Sequence, residues 1–146
     1  MNEVAVNVIL ENNAIIPKYH SENAAGADIC ASLLDPLKIF PGESALIPTG
    51  IFIEIPEGFE IQLRPRSGLA FKNQITVLNS PGTIDSDYRG EIKVILINHG
   101  KKTFVVEDKM RIAQIILSPV MKASFIKATE LASTERGSGG FGHTGF

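Results

Sequence analysis

Apolar and polar residues alternate in short runs along this chain, and proline or glycine separates most of the runs. In residues 51–55 every second side chain is Ile, and residues 59–63 repeat the pattern with Phe, Ile and Leu. The sequence Pro-Glu-Gly at 56–58, between the two runs, has the residue types of a turn. A period of two places alternate side chains on opposite faces of an extended strand, so the pattern predicts β-structure with one buried face.

Further runs of the same kind extend this prediction to most of the chain. They are residues 4–10, 75–78, 91–97, 103–106 and 111–117. Residues 98–101, with the sequence Asn-His-Gly-Lys, have the composition of a tight turn between two of them. A helix is predicted only at about residues 67–72. Many short strands with regular turn signals predict an all-β sandwich, jelly roll or barrel.

The length and the end of the chain predict one domain followed by a tail. With 146 residues the chain has the size of a single domain, and it contains neither a repeat nor a linker. The apolar alternation stops at about Ser133, and residues 136–146 include five glycines. Because glycine leaves the backbone unusually free, we expect residues 1–132 to form a β domain and residues 133–146 to form a mobile tail.

Composition argues against several classes of protein. The formal net charge of −2 gives no basic footprint for nucleic acid. No apolar run approaches about 18 residues, and the first residues, Met-Asn-Glu, lack the basic start of a signal peptide. Cys30 has no second cysteine to pair with, so we expect it to be a small buried apolar residue. We therefore expect a soluble cytoplasmic protein that binds neither nucleic acid nor membranes.

Three common catalytic motifs do not fit the sequence. A phosphate-binding loop ending in the Gly-Lys of residues 100–101 would need glycine where Ile95 stands. The sequence Arg-Gly-Ser-Gly-Gly at 136–140 lacks the first glycine of a nucleophile elbow. The three histidines and Cys30 do not have the spacing of zinc ligands. Carboxylates and arginines therefore remain as the candidates for catalytic chemistry.

Five short segments combine charged residues with glycine in a way that a simple β-sandwich does not require. In chain order they are AAGADICAS, RPRSGLAF, NSPGTIDSDYRGE, RIAQIIL and RGSGGFGHTGF. Taken singly, Asp85 and Asp87 have the character of turn residues, and Ser67 that of a helix cap. Arg64 and Arg66, however, precede the predicted helix, and arginine beside a helix N-terminus favours phosphate. Together with Phe in a glycine-rich tail, the segments indicate a polyphosphate ligand that carries a flat ring.

In this order the five segments resemble the five motifs of the trimeric dUTPases, the deoxyuridine triphosphate nucleotidohydrolases. The resemblance extends from about residue 24 to the end of the chain, and PRSGLA followed by GTIDSDYRG is its most specific part. It implies a jelly-roll-like β subunit and a homotrimer whose active sites are shared between subunits. It also implies Mg²⁺-assisted hydrolysis of dUTP to dUMP and pyrophosphate by attack of water at the α-phosphate. Such an activity limits the incorporation of uracil into DNA and supplies dUMP.

The resemblance implies a role for each matching residue. Asp85 would activate or position the attacking water, and Asp28 would hold the Mg²⁺ ion indirectly, through its waters. Tyr88 would lie against the deoxyribose and leave no room for a 2′-hydroxyl. The expected contacts to uracil come from Asn79, Thr83, Ile84 and Lys93. The expected contacts to the phosphates come from Arg66, Ser67, Gly68 and Gln114.

The same resemblance implies that the tail closes over bound nucleotide. Phe141 would stack on uracil, while Arg136, Gly142 and Thr144 would cover the phosphates. Glycine permits a segment that is mobile when the site is empty and wraps closely around a ligand. His143 stands where the family more often has Ser, so it is left out of the predicted site.

Two other functions remain open from the sequence. The related dCTP deaminases, which include the possibility of a bifunctional enzyme, have a catalytic Glu at about the position of Ile95, where this strand has no carboxylate. A non-catalytic sandwich that binds nucleotide for regulation or assembly is the second alternative, although it would have no need of a poised Asp85. Release of pyrophosphate from dUTP distinguishes the three functions.

Overall fold

The computed structural model describes residues 3–145, and this part of the chain consists of ten strands and one short helix. In chain order the elements are β1 (Asn7–Leu10), β2 (Ala27–Cys30), β3 (Leu37–Ile39), β4 (Ser44–Glu54), β5 (Phe59–Arg64), α1 (Ser67–Asn73), β6 (Ile75–Val77), β7 (Gly82–Ile84), β8 (Glu91–Asn98), β9 (Phe104–Val106) and β10 (Arg111–Pro119). The predicted all-β fold and the predicted short helix are confirmed. No helix within residues 3–145 is long and apolar enough to cross a membrane.

Antiparallel pairing arranges the strands in three sheets. The first has the order β1-β4-β8-β6, the second has the order β2-β10-β5-β7, and β3 pairs with β9 in the third. Neighbours within a sheet are mostly not consecutive in sequence, as in a jelly-roll-like sandwich. In the described residues the sheets do not close into a barrel, so among the predicted alternatives it is the sandwich that forms.

The Pro-Glu-Gly turn at 56–58 carries the chain from the first sheet to the second. Before the turn β4 pairs with β1 and β8, whereas after it β5 pairs with β10 and β7. Gly58 has a φ of +89°, which residues with a side chain rarely adopt. The apolar faces of both strands contribute to the same core, so the two alternating runs pack across the sandwich and do not form a hairpin.

Aliphatic side chains from both main sheets form one core, and the two buried polar residues within 3–145, Thr49 and Asn98, have hydrogen-bond partners. Ile29 and Ile47 are examples of side chains with no exposed surface. Thr49 is also completely buried, and its hydroxyl donates to the Ile92 carbonyl at 2.5 Å. A buried hydroxyl without such a partner would cost about 1–3 kcal/mol. The core therefore tolerates Thr49 because β8 satisfies its hydroxyl.

The buried side chain of Asn98 organises the predicted turn at residues 98–101. Its Nδ2 donates to the carbonyls of Ile39 at 2.9 Å and Lys102 at 2.8 Å, and its Oδ1 accepts from the Gly100 N–H at 2.8 Å. The turn joins β8 of the first sheet to β9 of the third, so these two strands do not pair with each other. One amide side chain thus connects the turn to β3.

The alternation pattern does not predict three short strands, β2, β3 and β7. Three of the four residues of β2 are buried, so this strand lacks the alternation of buried and exposed residues. β3 and β7 have three residues each and lie outside all of the alternating runs identified in the sequence. Pairing with other strands specifies their conformation: β2 pairs with β10, β3 with β9 and β7 with β5. In addition, β1 begins only at Asn7 and β10 continues to Pro119, beyond the predicted limits.

After β10 the chain leaves the sheets. Residues 120–132, which we call the C-terminal arm, form neither strand nor helix. The arm carries large apolar side chains that are at least 85% exposed, namely Met121, Phe125, Ile126 and Leu131. Residues 133–146, which we call the tail, continue as turns up to residue 145. So much exposed apolar surface on one segment is unusual for a protein that has no partner.

Candidate active site

A pocket of about 350 Å³ lies where β7, β8 and the loop between them meet. Six of the predicted site residues line it: Asn79, Thr83, Ile84, Asp85, Tyr88 and Lys93. Its apolar wall includes Leu46, Leu63 and Ile95. A cavity with apolar walls and a few polar groups is the usual form of a small-molecule site. We call this cavity the β7–β8 pocket.

Close packing of β7 against β5 forms one wall of the pocket. A Cβ atom at Gly82 would lie 3.1 Å from Cβ of Leu63 and 3.4 Å from Nδ2 of Asn79. These distances leave little room for any side chain larger than hydrogen. Gly82 therefore permits the pairing with Leu63 that places Thr83 at the pocket.

The loop that follows β7 holds two predicted residues at the mouth of the pocket. The Tyr88 N–H donates to the Asp85 carbonyl at 3.1 Å, and the Tyr88 hydroxyl donates to the Glu91 carbonyl at 2.8 Å. The Arg89 guanidinium donates to the Ser86 carbonyl at 2.7 Å. Asp85 is exposed, and Tyr88 remains 46% exposed. The loop thus has a defined shape, while both side chains stay accessible to a ligand.

Asp85 also borders a second, wider cavity of about 980 Å³. The other carboxylates in its lining are Glu54, Glu57, Glu60 and Asp87, and the cationic side chains are Arg89 and Lys122. A lining with this excess of negative charge repels a triphosphate. The smaller β7–β8 pocket is therefore the better candidate for the nucleotide.

A second group of predicted residues surrounds the carboxylate of Asp28 on β2. Its Oδ1 lies 3.2 Å from Nε of Arg66, and its Oδ2 lies 3.2 Å from Nη1 of Arg111 and 3.5 Å from Nε2 of His20. Arg66 also donates through Nη1 to the Arg111 carbonyl at 3.3 Å. The Asp28 side chain is only 14% exposed, so water screens these pairs less than it screens surface pairs. One carboxylate thus holds two guanidinium groups, an arrangement we call the Asp28 cluster.

Gln114 lies beside this cluster on β10. It pairs across the sheet with Asp28 on one side and Arg64 on the other, and its Nε2 donates to the Pro65 carbonyl at 3.0 Å. A Cβ atom at Gly26 would overlap the Gln114 amide. Gly26 therefore provides the space that Gln114 occupies. The sequence alone did not predict this role for Gly26.

The predicted phosphate residues Ser67 and Gly68 begin α1. Arg66 occupies the N-cap position, and no side chain caps the helix, so the structure does not support a capping role for Ser67. Both residues are exposed, and a Cβ atom at Gly68 would meet no atom within 4 Å. The first N–H groups of a helix have no partner within the helix. Their donors therefore lie open beside the Asp28 cluster.

The tail does not reach the β7–β8 pocket in the single chain. Its hydrogen bonds within the described residues stay inside 134–145, for example from Nε of Arg136 to the Gly139 carbonyl at 2.9 Å. The ring of Phe141 is wholly exposed. Gly142 and Thr144 are exposed as well. The structure therefore does not bring these four predicted residues together with Asp85.

Comparison with known proteins identifies the family. A sequence profile of the dUTPase family matches residues 12–145. The chain belongs to the dUTPase family. The deoxyuridine 5'-triphosphate nucleotidohydrolase of Chlamydia pneumoniae is 64% identical over 137 residues, which cover 93% of this chain and 94% of that protein. The protein of the same name from Chlamydia trachomatis serovar L2 is 56% identical over 137 residues, with the same coverage of 93% and 94%.

Solved dUTPase structures have the same fold. The dUTPase of Staphylococcus bacteriophage 80alpha, in complex with dUpNHpp, aligns with a TM-score of 0.88 at 26% identity and covers 97% of this chain and 99% of its own. A mutant dUTPase from phage phi11 of S. aureus, which coordinates a structural Mg(II) ion, aligns with a TM-score of 0.79 at 22% identity and covers 87% and 98%. The similarity to the phi11 protein, at 22% identity, establishes a shared fold only.

The side chains available as metal ligands limit how this chain could hold a metal ion. Residues 3–145 contain no group of three or more His, Cys, Asp or Glu side chains that could hold a metal ion. At phosphate sites in proteins, magnesium usually takes most of its ligands from phosphate oxygens and water. A carboxylate has about four lone-pair sites, so Asp28 retains capacity to accept from a metal-bound water.

Two contacts within the Asp28 cluster were not predicted from the sequence. Arg111 stood in one of the five segments, but its contact with Asp28 joins β10 to β2 and is not visible from spacing along the chain. The same is true of His20, which approaches the same carboxylate from outside the five segments. The pairing of β10 with β2 brings Arg111 to the carboxylate, and the bridge between Lys18 and Asp28 brings His20 near it.

Proposed function

We propose that this chain hydrolyses dUTP to dUMP and pyrophosphate, with Asp85 directing water onto the α-phosphate. The observation that carries the proposal is the position of Asp85, an exposed carboxylate at the mouth of the β7–β8 pocket. Family membership and the names of the relatives support the substrate. Asp85 would accept a hydrogen bond from the attacking water and take its proton, an effect worth about 10²–10⁴ in rate.

The β7–β8 pocket would bind the nucleoside part of dUTP. Its apolar wall, which includes Leu46 and Ile95, suits the flat face of uracil. Asn79 and the backbone of β7 and β8 would provide the polar contacts to the edge of the base. A site that hydrogen-bonds a substrate in this way rejects an unmatched analogue by up to about 10⁴–10⁵, because the wrong base leaves buried groups unpaired.

Tyr88 would be the gate that excludes ribonucleotides. Its ring lies at the mouth of the pocket and its hydroxyl is already engaged by the Glu91 carbonyl. The hydroxyl proton is therefore not available to donate to a 2′-hydroxyl, and the ring presents a carbon surface to the sugar. An unpaired ribose hydroxyl against that surface would weaken the binding of UTP.

The Asp28 cluster and the start of α1 would bind the phosphates. Arg66 has a fixed direction because Asp28 and the Arg111 carbonyl both hold its guanidinium. Backbone donors of Ser67 and Gly68 and the amide of Gln114 would complete the contacts. Mg²⁺, when bound to the phosphates, supplies charge neutralisation, and Asp28 would orient one of its waters.

A homotrimer with shared active sites accounts best for the separation of these parts. No residue of the Asp28 cluster lines the β7–β8 pocket. β2, which carries Asp28, and β7, which forms the pocket, lie at opposite edges of the second sheet, with β10 and β5 between them. At the usual strand spacing that separation is about 14 Å. A second copy of the chain would place its own cluster beside the pocket, and the exposed apolar residues of the arm favour such an assembly.

Residues 1–132 would then be the catalytic domain and residues 133–146 a lid. The eleven residues 136–146, when extended, reach at most about 36–40 Å, whereas a domain of 146 residues has a radius of gyration of about 15 Å. The tail is therefore long enough to close over a site on a neighbouring subunit. Phe141 would stack on uracil, and Arg136, Gly142 and Thr144 would cover the phosphates.

Product analysis tests the proposed reaction. Purified protein is incubated with Mg²⁺ and with dUTP, dCTP or UTP in turn, and pyrophosphate and ammonia are measured. Pyrophosphate from dUTP alone is the expected result. Ammonia from dCTP would indicate a deaminase, although the pocket has Ile95 where a catalytic carboxylate would be needed. Tight binding of dUTP without either product would indicate a non-catalytic nucleotide-binding protein.

A further inference from the structure

Gly90 lies directly behind the ring of Tyr88. A Cβ atom at Gly90 would be 2.6 Å from Cζ and 2.9 Å from Cε2 of Tyr88, and it would overlap the hydroxyl as well. The three nearest atoms to this missing Cβ all belong to the one aromatic side chain. The space that glycine leaves free is therefore occupied by Tyr88.

The backbone does not explain why this residue is glycine. The φ of Gly90 lies outside the left-handed region that favours glycine, unlike the φ of +89° at Gly58. Alanine could adopt the backbone conformation of Gly90 without strain. What alanine could not do is leave the Tyr88 ring where it is.

The position of the ring determines which polar contact Tyr88 makes. With the ring against Gly90, the hydroxyl donates to the Glu91 carbonyl at 2.8 Å. Tyr88 and Glu91 both line the β7–β8 pocket, whereas Gly90 does not. A side chain at position 90 would displace the far end of the Tyr88 side chain, which is half exposed, and would leave the strands in place.

We infer that Gly90 is a specificity-determining residue, which fixes the Tyr88 ring in the position that admits deoxyribose and excludes ribose. This inference rests on the proposed role of Tyr88 as the sugar gate. Gly90 itself would touch no part of the nucleotide, and its effect passes entirely through the ring. It is therefore a positioning residue.

Gly90→Ala should lower the preference for dUTP over UTP, whichever way the ring moves. A ring that moves away from the sugar admits the 2′-hydroxyl, so kcat/KM for UTP rises. A ring that moves towards the sugar obstructs dUTP, while UTP, already excluded, has little activity to lose. A displaced contact of this kind changes selectivity by at least about tenfold.

The experiment compares Gly90→Ala, Tyr88→Ala and the double variant, with kcat/KM measured for dUTP and for UTP in each. We expect both single variants to lower the ratio and the double variant to match Tyr88→Ala, because without the ring the added methyl meets nothing. A Gly90→Ala ratio within twofold of the unmodified protein, or a further loss in the double variant, would overturn the inference. If Tyr88→Ala itself leaves the ratio unchanged, the proposed gate is wrong, and the inference is overturned with it.

A spectroscopic measurement separates movement of the ring from a general loss of structure. The chain has two tyrosines and no tryptophan, so Tyr19→Phe leaves Tyr88 as the only tyrosine. In that background Gly90→Ala should change the near-UV circular dichroism of tyrosine and leave the far-UV spectrum of the strands unchanged. An unchanged tyrosine signal would mean that the ring has not moved, which contradicts the inference without any measurement of activity.

Discussion

The loop at Asp85 and the glycine-rich tail are both predicted to contact the same nucleotide, yet the structure holds them in opposite ways. Hydrogen bonds to its own backbone and to the start of β8 fix the loop. The described part of the tail bonds only to itself, and the Phe141 ring packs against nothing. Under the proposed function, the folded sheets would preform one half of the active site, whereas a ligand and a second subunit would order the other half.

The largest expected effect comes from the preformed half. Asp85→Asn keeps the size of the side chain but removes the charge that orients water, so kcat should fall by about 10²–10⁴. Binding of dUTP, measured by calorimetry, should change little. Asp87→Asn is the matched control, because Asp87 lies in the same loop and lines the acidic cavity but not the β7–β8 pocket. Equal losses in the two variants would mean that Asp85 has no special role.

Removing the tail tests the half that is not preformed. Truncation after Glu135 should lower kcat/KM by about 10²-fold, because the nucleotide is no longer held in the reactive geometry. Thermal unfolding should be unaffected, since the tail makes no hydrogen bond to any other part of the described chain. A clear loss of stability on truncation would show that the tail belongs to the folded domain.

Mixing the two inactive proteins shows whose site the tail closes. Protein with Asp85→Asn and protein truncated after Glu135 are unfolded and refolded together, and mixed trimers are confirmed by mass. If sites are shared between chains, some contain an intact Asp85 beside an intact tail, and activity returns. If each chain closes its own site, every site lacks one part and the mixture stays inactive, which would eliminate the shared-site proposal.

A smaller effect is expected in the Asp28 cluster. Arg111→Ala leaves the backbone carbonyl that holds Arg66 but removes one of the two guanidinium groups on Asp28. Because the Arg111 side chain is 46% exposed, we expect a cost of about 1 kcal/mol, or about a fivefold rise in KM with kcat little changed. His20→Ala, which removes the longer contact to the same carboxylate, should have a smaller effect. A fall in kcat at constant KM would place Arg111 in the chemical step.

The smallest effect concerns the core beside that cluster. Burial, together with the negative charge of Asp28, raises the pKa of the Cys30 thiol. In the unfolded chain the thiol ionises at about 8.5, so above that pH the unfolded state loses a proton that the folded state still holds. The free energy of unfolding should therefore fall as pH rises through this range, until the folded thiol ionises too. Urea unfolding of the unmodified protein and of Cys30→Ala at about pH 7 and about pH 10 checks this, and equal pH dependence in both would contradict it.

The sequence predicted the longer strands, in which the alternation of apolar and polar residues shows a period of two. The alternation at 51–55 and 59–63 lies within β4 and β5, and the motifs identified the dUTPase family. β3 and β7 escaped prediction because their conformation comes from pairing with distant partners. A local pattern cannot contain that information.

The candidate site was predictable in its residue types and not in its contacts. The resemblance to the dUTPase motifs implied Asp28, Arg66 and Tyr88 as site residues. The second guanidinium on Asp28, from Arg111, depends on β10 lying next to β2. The fit of Tyr88 over Gly90 depends on one side-chain direction, which no spacing rule specifies.

The pairing of β2 with β10 has a consequence for how the chain is made. This pairing joins Asp28, near the start of the chain, to Gln114, near its end. A chain synthesised from its N-terminus at about 5–20 residues per second cannot form this pair until β10 has been made. Sheets built from such distant partners also fold slowly, because a long loop must close before any contact forms. The Asp28 cluster is therefore among the last parts of the fold to be completed, and a chain that terminates before β10 would lack it.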